Sequence, residues 1–150
     1  METRKEQVYK LCHTFIDERI AMLREAIAGA QASANEETKS SSGDKYETGR
    51  AMAQLEIEKF SEQLGEARRI KQTLSQLVLA TPGDIVQNGS LVWTDQGNFF
   101  ISVSAGQFVL GGNTIYAISA ASPIGAVLLG RKAGDTFEFR GKKTVIRTIE

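Results

Sequence analysis

The sequence predicts an α+β fold in two domains, a long antiparallel helical hairpin followed by a small β-sheet domain with a short helix. Three observations carry this expectation. Two stretches before residue 80 share a coiled-coil periodicity, a polar segment separates them, and the stretches after Thr81-Pro82-Gly83 are short and rich in β-branched and aromatic residues.

From about Thr3 to Ala34, Ile16, Ile20, Leu23, Ile27 and Ala30 recur at alternating steps of four and three, the seam of a coiled coil. Val8, Leu11 and Phe15 extend that stripe toward the amino terminus with some drift. A second run begins near Asp44 and places Tyr46, Ala53, Ile57, Phe60, Leu64, Ala67, Ile70, Leu74 and Leu77 at similar spacing. Between them NEETKSSSG, from Asn35 to Gly43, is polar and supplies no core, so it reads as the turn of a hairpin. About 30 residues of helix project on the order of 45 Å, further than a small core requires. Periodicity names no partner, and the same pattern serves a coiled-coil adaptor that dimerises or spaces other parts. The two domains expected are therefore a coiled-coil finger over 1–78, with its tip near 35–47, and an α+β domain over 79–150.

The second half contains GSLVWT, NFFISVS, NTIYAIS, DTFEFR and KTVIRTI, which read as strands. Gln96-Gly97-Asn98 and Arg140-Gly141-Lys142 are turn-like, and Ser122 to Gly130 opens on a helix-compatible Pro and ends on a Gly stop, as a short helix does. From Gln96 to Gly130 there is no Asp, Glu, Lys or Arg. Such a stretch is either a buried centre or a weakly polar face for a partner, and burial is expected for most of it.

Charge and composition exclude several classes. Lys plus Arg and Asp plus Glu both number 18, and a balanced chain does not coat nucleic acid by bulk electrostatics. Most of the charge lies before Thr81, with 12 basic and 13 acidic residues there against 6 and 5 beyond. One cysteine, Cys12, precludes an internal disulfide, and one histidine, His13, leaves little for a transition-metal site built by this chain alone. Because the two are neighbours in one helix, their side chains diverge instead of pairing as nucleophile and base, so a packed role is expected for each. The amino terminus is polar and no run approaches the roughly 20 apolar residues of a membrane span, so a cytoplasmic protein without membrane attachment is expected.

The sharpest local feature is SSSGDKYETGR, where Asp44 and Glu47 stand three apart as the second helix begins. That spacing puts both carboxylates on one helix face, where they suit Mg²⁺, an ion that takes one or two protein carboxylates and shares its remaining positions with water and phosphate. The same residues suit a capping box, Asp44 at the N-cap and Glu47 at N3, satisfying free amides at the positive end of the helix dipole. Lys39, Lys45 and Arg50 flank the tip, either to meet phosphates or simply to be solvated.

The segment GDKYETGRAMAQLE resembles the tip and second helix of the Gre transcript-cleavage factors of bacteria, whose pattern is roughly GDLKENAEYHAA. SPIGAVLLGRKAGDTFEF is similar to that family's SPIGRALLGKKVGDEVEV motif, with Ser122, Pro123, Leu128, Leu129, Gly130, Lys132, Gly134 and Asp135 in register. The two matches stand in the family's order, one at the tip of the expected hairpin and one in the expected second domain, and with a hairpin of suitable length they place the resemblance in both halves of the chain. The resemblance implies that residues 79–150 are FKBP-like and dock on the rim of the secondary channel of bacterial RNA polymerase while a monomeric finger reaches its active centre. It further implies that Asp44 and Glu47 help hold a Mg²⁺ shared with the polymerase and so stimulate cleavage of backtracked RNA. Nascent RNA is then met only indirectly, and the chain is a catalytic accessory, not an enzyme by itself. The sequence departs from the pattern after the acidic pair, where Thr48, Gly49, Arg50 and Ala51 replace Asn-Ala-Glu-Tyr. A Gre-like regulator or inhibitor that occupies the channel without cleavage stays open beside the first expectation. A prolyl isomerase is the other activity an FKBP-like domain suggests, although Trp93, Phe99, Phe100, Phe108 and Tyr116 are expected to fill the core and not to line a pocket.

Overall fold

A computed structural model describes residues 1–38 and 43–150, with side chains outside 37–46. Two long helices, α1 (Arg4–Thr38) and α2 (Gly43–Gln76), precede a six-stranded mixed sheet and a short helix, an α+β layout. The strands are β1 (Leu91–Thr94), β2 (Gly97–Ser102), β3 (Gly106–Leu110), β4 (Asn113–Ser119), β5 (Thr136–Phe139) and β6 (Lys142–Ile149), with α3 (Pro123–Leu128) between β4 and β5. By contacts the chain divides into two compact units, one of Ile16–Lys71 and one of Met1–Phe15 with Gln72–Glu150.

Within Ile16–Lys71 the expected seam is present. Ile16, Ile20, Leu23 and Ala30 of α1 are buried and Ile27 is half-buried; on α2 Ala53, Leu64 and Ala67 are buried, with Ile57 and Phe60 half-buried. Asp17, early in this stretch, pairs with Lys71 at its end (2.6 Å), whereas Gln31 and Ala34 share a cleft with Arg50 and Gln54. The two helices therefore run in opposite directions. The fully buried branched residues of the seam lie toward the Asp17–Lys71 end, whereas toward the other end Ala30 and Ala53 are buried and Ile27 and Ile57 only half-buried.

In the second unit the start of α1 is capped by Thr3 and Glu6. The Thr3 N–H donates to the Glu6 carboxylate (2.7 Å) and the Glu6 N–H to Thr3 Oγ1 (3.1 Å), a reciprocal capping box on α1. The backbone donation from Thr3 holds the Glu6 carboxyl below its usual range. The apolar stripe here differs from expectation. Val8 and Cys12 are buried, but Leu11 is only half-buried and Phe15 is exposed. Steps of four lead from Ile16 back to Cys12 and Val8, and Phe15 turns instead toward the sheet, edge-on to Phe108 (6.0 Å) and over Gly106.

The strand order is β3-β4-β2-β1-β6-β5, with β2 and β4 parallel and the other pairs antiparallel. β1 is central and all four of its residues are buried. On one face Val92, Ile101, Phe137, Ile146 and Ile149 join Val86 and Leu128 in a core against which Ile124 and Val127 of α3 pack. On the other face Cys12 meets Ser102, and the Arg4 guanidinium lies over the Trp93 ring (4.2 Å) while pairing with Glu150 (2.5 Å). Lys5 is buried and donates to the Ala80 carbonyl; burial pushes its ammonium pKa down, partly offset by Glu150 and Glu6.

All five expected strand runs contain a strand, but β3 has no counterpart among them. It is an edge strand, and the uncharged stretch from Gln96 to Gly130 is accordingly mixed. Phe100, Ile101, Ala105, Ile115 and Leu128 are buried, whereas Val109 is 71% exposed and Tyr116 38% exposed. Arg140 and Gly141 have φ of 51° and 78°, the left-handed pair that joins β5 to β6 in a tight hairpin.

Candidate functional site

The expected acidic site lies at the start of α2. This helix begins at Gly43, so Asp44 lies in its first turn, and the capping role weighed for its side chain falls outside the described residues. The side chains of Lys45 and Tyr46 lie outside them too, as does all of Lys39. Glu47 and Arg50 are exposed, one turn apart on α2. A carboxylate at this position has the helix amides and dipole behind it and solvent before it. Further along, a polar cleft of about 490 Å³ lies between the helices, lined by Gln31, Ala34, Asn35, Arg50, Gln54 and Ile57. Among the described residues no group of three or more His, Cys, Asp or Glu could hold a metal on this chain alone. One exposed carboxylate with a second three residues earlier suits a metal held mostly by other ligands.

Cys12 and His13 do not form a catalytic pair. Cys12 is wholly buried, and burial pushes its thiol up to about 12 from an ordinary 9.0, with the Ser102 hydrogen bond pulling the other way. His13 is half-buried, edge-on to Tyr9 with ring centres 4.7 Å apart. A thiol so placed is inert, because only the thiolate attacks. We expect alkylating reagents at about pH 8 to leave Cys12 unmodified in the folded chain and to modify it fully in denaturant; rapid modification of the folded chain would contradict this placement. The unfolded thiol ionises near 9 while the folded one keeps its proton to about 12. The unfolded state thus binds fewer protons in that window, and stability falls as pH rises through it.

The second unit carries a pocket that the sequence reading did not identify. α3 forms one side of it. The Ser122 Oγ accepts from the Gly125 N–H (3.1 Å) and donates to the Ser119 carbonyl (2.7 Å), Pro123 opens the helix, and Gly130 ends it at φ 83°. This fixes Ile124 beside Phe99, Phe137 and Phe139 around a cavity of about 190 Å³, with Gln96, Arg140, Lys142 and Thr144 completing its lining. Of the aromatics expected to fill the core, Trp93 and Phe100 do so, Phe99 and Phe108 are half-buried, and Tyr116 is exposed, stacked on Phe99 (5.9 Å, 29°). The alternation in Phe137-Glu138-Phe139, followed by a cationic turn, is the sequence signal that could have located the pocket.

No protein-family model and no curated protein matches this chain. No helix of the described residues is long and apolar enough to cross a membrane.

Proposed function

We propose that this chain acts in the cytoplasm as a monomeric Gre-class factor of bacterial RNA polymerase. On this reading the antiparallel helices are a coiled-coil finger over 1–78 that enters the secondary channel, and residues 79–150 are an FKBP-like domain that docks at its rim. The observation that supports it best is the pair of opposed helices of 35 and 34 residues, with Glu47 exposed at the start of the second and Asp44 three residues before it. Helices of that length reach roughly 50 Å. The SPIG segment adds support, because its Ser, Pro and Gly each have a structural task in α3.

The part of this chain is electrostatic and positional. Asp44 and Glu47 bring negative charge to the polymerase's active centre and orient an attacking water, while the polymerase supplies its own catalytic groups. With the polymerase's own ligands these two carboxylates would hold a Mg²⁺, which when bound would supply charge stabilisation for RNA hydrolysis. The departure at Thr48 to Ala51 leaves both acidic residues in place, and a channel plug needs neither.

The test is transcript shortening in a purified backtracked elongation complex from a matching bacterium. Wild-type protein is expected to accelerate cleavage, and the Asp44→Ala, Glu47→Ala double variant to lose at least about tenfold of that stimulation with unchanged helical circular dichroism. Equal cleavage by both proteins removes the assigned role. Binding to polymerase without cleavage by either supports the Gre-like inhibitor instead.

A further inference from the structure

The pocket beneath α3 has a chemical character that the polymerase reading does not use. In the β5–β6 register Phe137 faces Thr144 and Phe139 faces Lys142, so these four share one side of the hairpin. Phe99 and Ile124 complete an apolar floor, and Arg140, Lys142 and Gln96 stand at its margin. At about 190 Å³ the cavity is smaller than the roughly 300–1,000 Å³ that holds a drug-sized ligand, so its occupant has the bulk of a single ring or branched side chain.

Charge settles the rest of the occupant's chemistry. The lining contains two cations and no carboxylate. Among the described residues neither Arg140 nor Lys142 pairs with an acidic group. Glu138 sits opposite Lys143 on the other side of the hairpin, and Asp95, next to Gln96, accepts from the Val145 N–H (2.8 Å). Arg140 is also the one non-glycine residue with positive φ among the described residues. Asn or Gly would take that turn position without strain, so the arginine is held there against a backbone preference. Its guanidinium stands 5.1 Å from the Phe139 ring centre, at the lip of the pocket.

We propose that this pocket binds a small amphiphilic carboxylate, its apolar ring seated on Phe99, Ile124, Phe137 and Phe139 and its charged end held by Arg140 and Lys142. The shared chemistry is an apolar ring next to a free carboxylate. It is offered both by a free aromatic acid and by a polypeptide ending in phenylalanine. The proposal does not rest on the polymerase reading.

The test titrates the full chain with phenylacetate, with its uncharged isostere phenylacetamide, and with the tripeptide Ala-Ala-Phe bearing a free or amidated carboxyl terminus, followed by two-dimensional amide NMR. Saturable shifts are expected at Phe99, Ile124 and the β5–β6 hairpin, with each free acid binding about tenfold or more tighter than its amide, as charge-assisted hydrogen bonds require. Tighter binding of the tripeptide identifies a polypeptide terminus as the source, and tighter binding of phenylacetate a free acid. The Arg140→Gly, Lys142→Gln double variant relieves the strained turn, keeps the fold and is expected to erase the preference for the acid. Equal affinity for acid and amide, saturable shifts elsewhere, no saturation at millimolar phenylacetate, or an undiminished preference in the double variant would overturn the proposal.

Discussion

Replacing Gly89 with alanine is expected to destabilise the fold by roughly 2–5 kcal/mol, the sum of a left-handed backbone penalty of about 1–2 and an overpacking cost of about 1–3. Gly89 has φ 89°, and a Cβ there would lie 2.8 Å from the Ala80 nitrogen and closer still to the Val78 carbonyl oxygen. Both obstacles are backbone, so no rotamer change relieves them. Gly89 is also tied on both sides, its N–H donating to Ile101 O (2.7 Å) and its carbonyl accepting from the Ala80 N–H (3.1 Å). The segment leaving α2 therefore lies flat on this residue, and moving it away breaks the second bond. Against a total stability of about 5–15 kcal/mol, a loss of this size should lower the urea midpoint by more than about 1 M. A midpoint within about 0.3 M of wild type would mean that the segment from Val78 to Ala80 does not rest on Gly89.

Gly125→Ala is expected to cost about 2 kcal/mol net, an overpacking cost near the upper end of about 1–3 offset by the roughly 1 kcal/mol by which a helix favours alanine over glycine. Propensity loses here because the new Cβ would stand 2.9 Å from the Ala120 carbonyl oxygen, closer to that of Ser119, and 3.0 Å from Ser122 Oγ. Two of these three are main-chain atoms, and the third is the helix cap itself. Relief of the clash must displace α3 and carry Ile124 with it. Chemical denaturation reads the stability loss, and amide shifts at Phe137 and Phe139 read the displacement of the pocket wall. A variant as stable as wild type would show that α3 is not seated as closely as described.

The helical half was legible because one periodicity governs it. Ile16, Ile20, Leu23 and Ala30 are buried where a four-three spacing puts them. The periodicity departs from the structure at Phe15, which is exposed to solvent on the helix and meets a second surface, while Leu11 is half-buried like Ile27 and Ile57. Near the start of α1 the sheet also covers the helix, so Phe15 packs against Phe108 and Cys12 takes the seam position. β3 escaped notice because its outward residues include Val109, an apolar side chain left 71% exposed, which erases the alternation that marks a half-buried strand. For the acidic pair the sequence indicates a place along the chain, the start of α2, and the Asp44 side chain lies outside the described residues. The pocket was hidden for a different reason. Phe99 comes from β2, Ile124 from α3 and the remaining aromatics from β5, and only strand order brings them together.

The distribution of bulk along the paired helices has a dynamic consequence. Isoleucine and leucine grip the stretch near Asp17 and Lys71, whereas Ala30 and Ala53 contribute far less buried carbon at about 0.8 kcal/mol per methylene. Among the described residues the fully buried side chains between the helices are therefore bulkier near Asp17 and Lys71 than around Ala30 and Ala53. Hydrogen exchange of the paired helices is accordingly expected to be faster around Ala30 and Ala53 than around Ile16, Ile20 and Leu64.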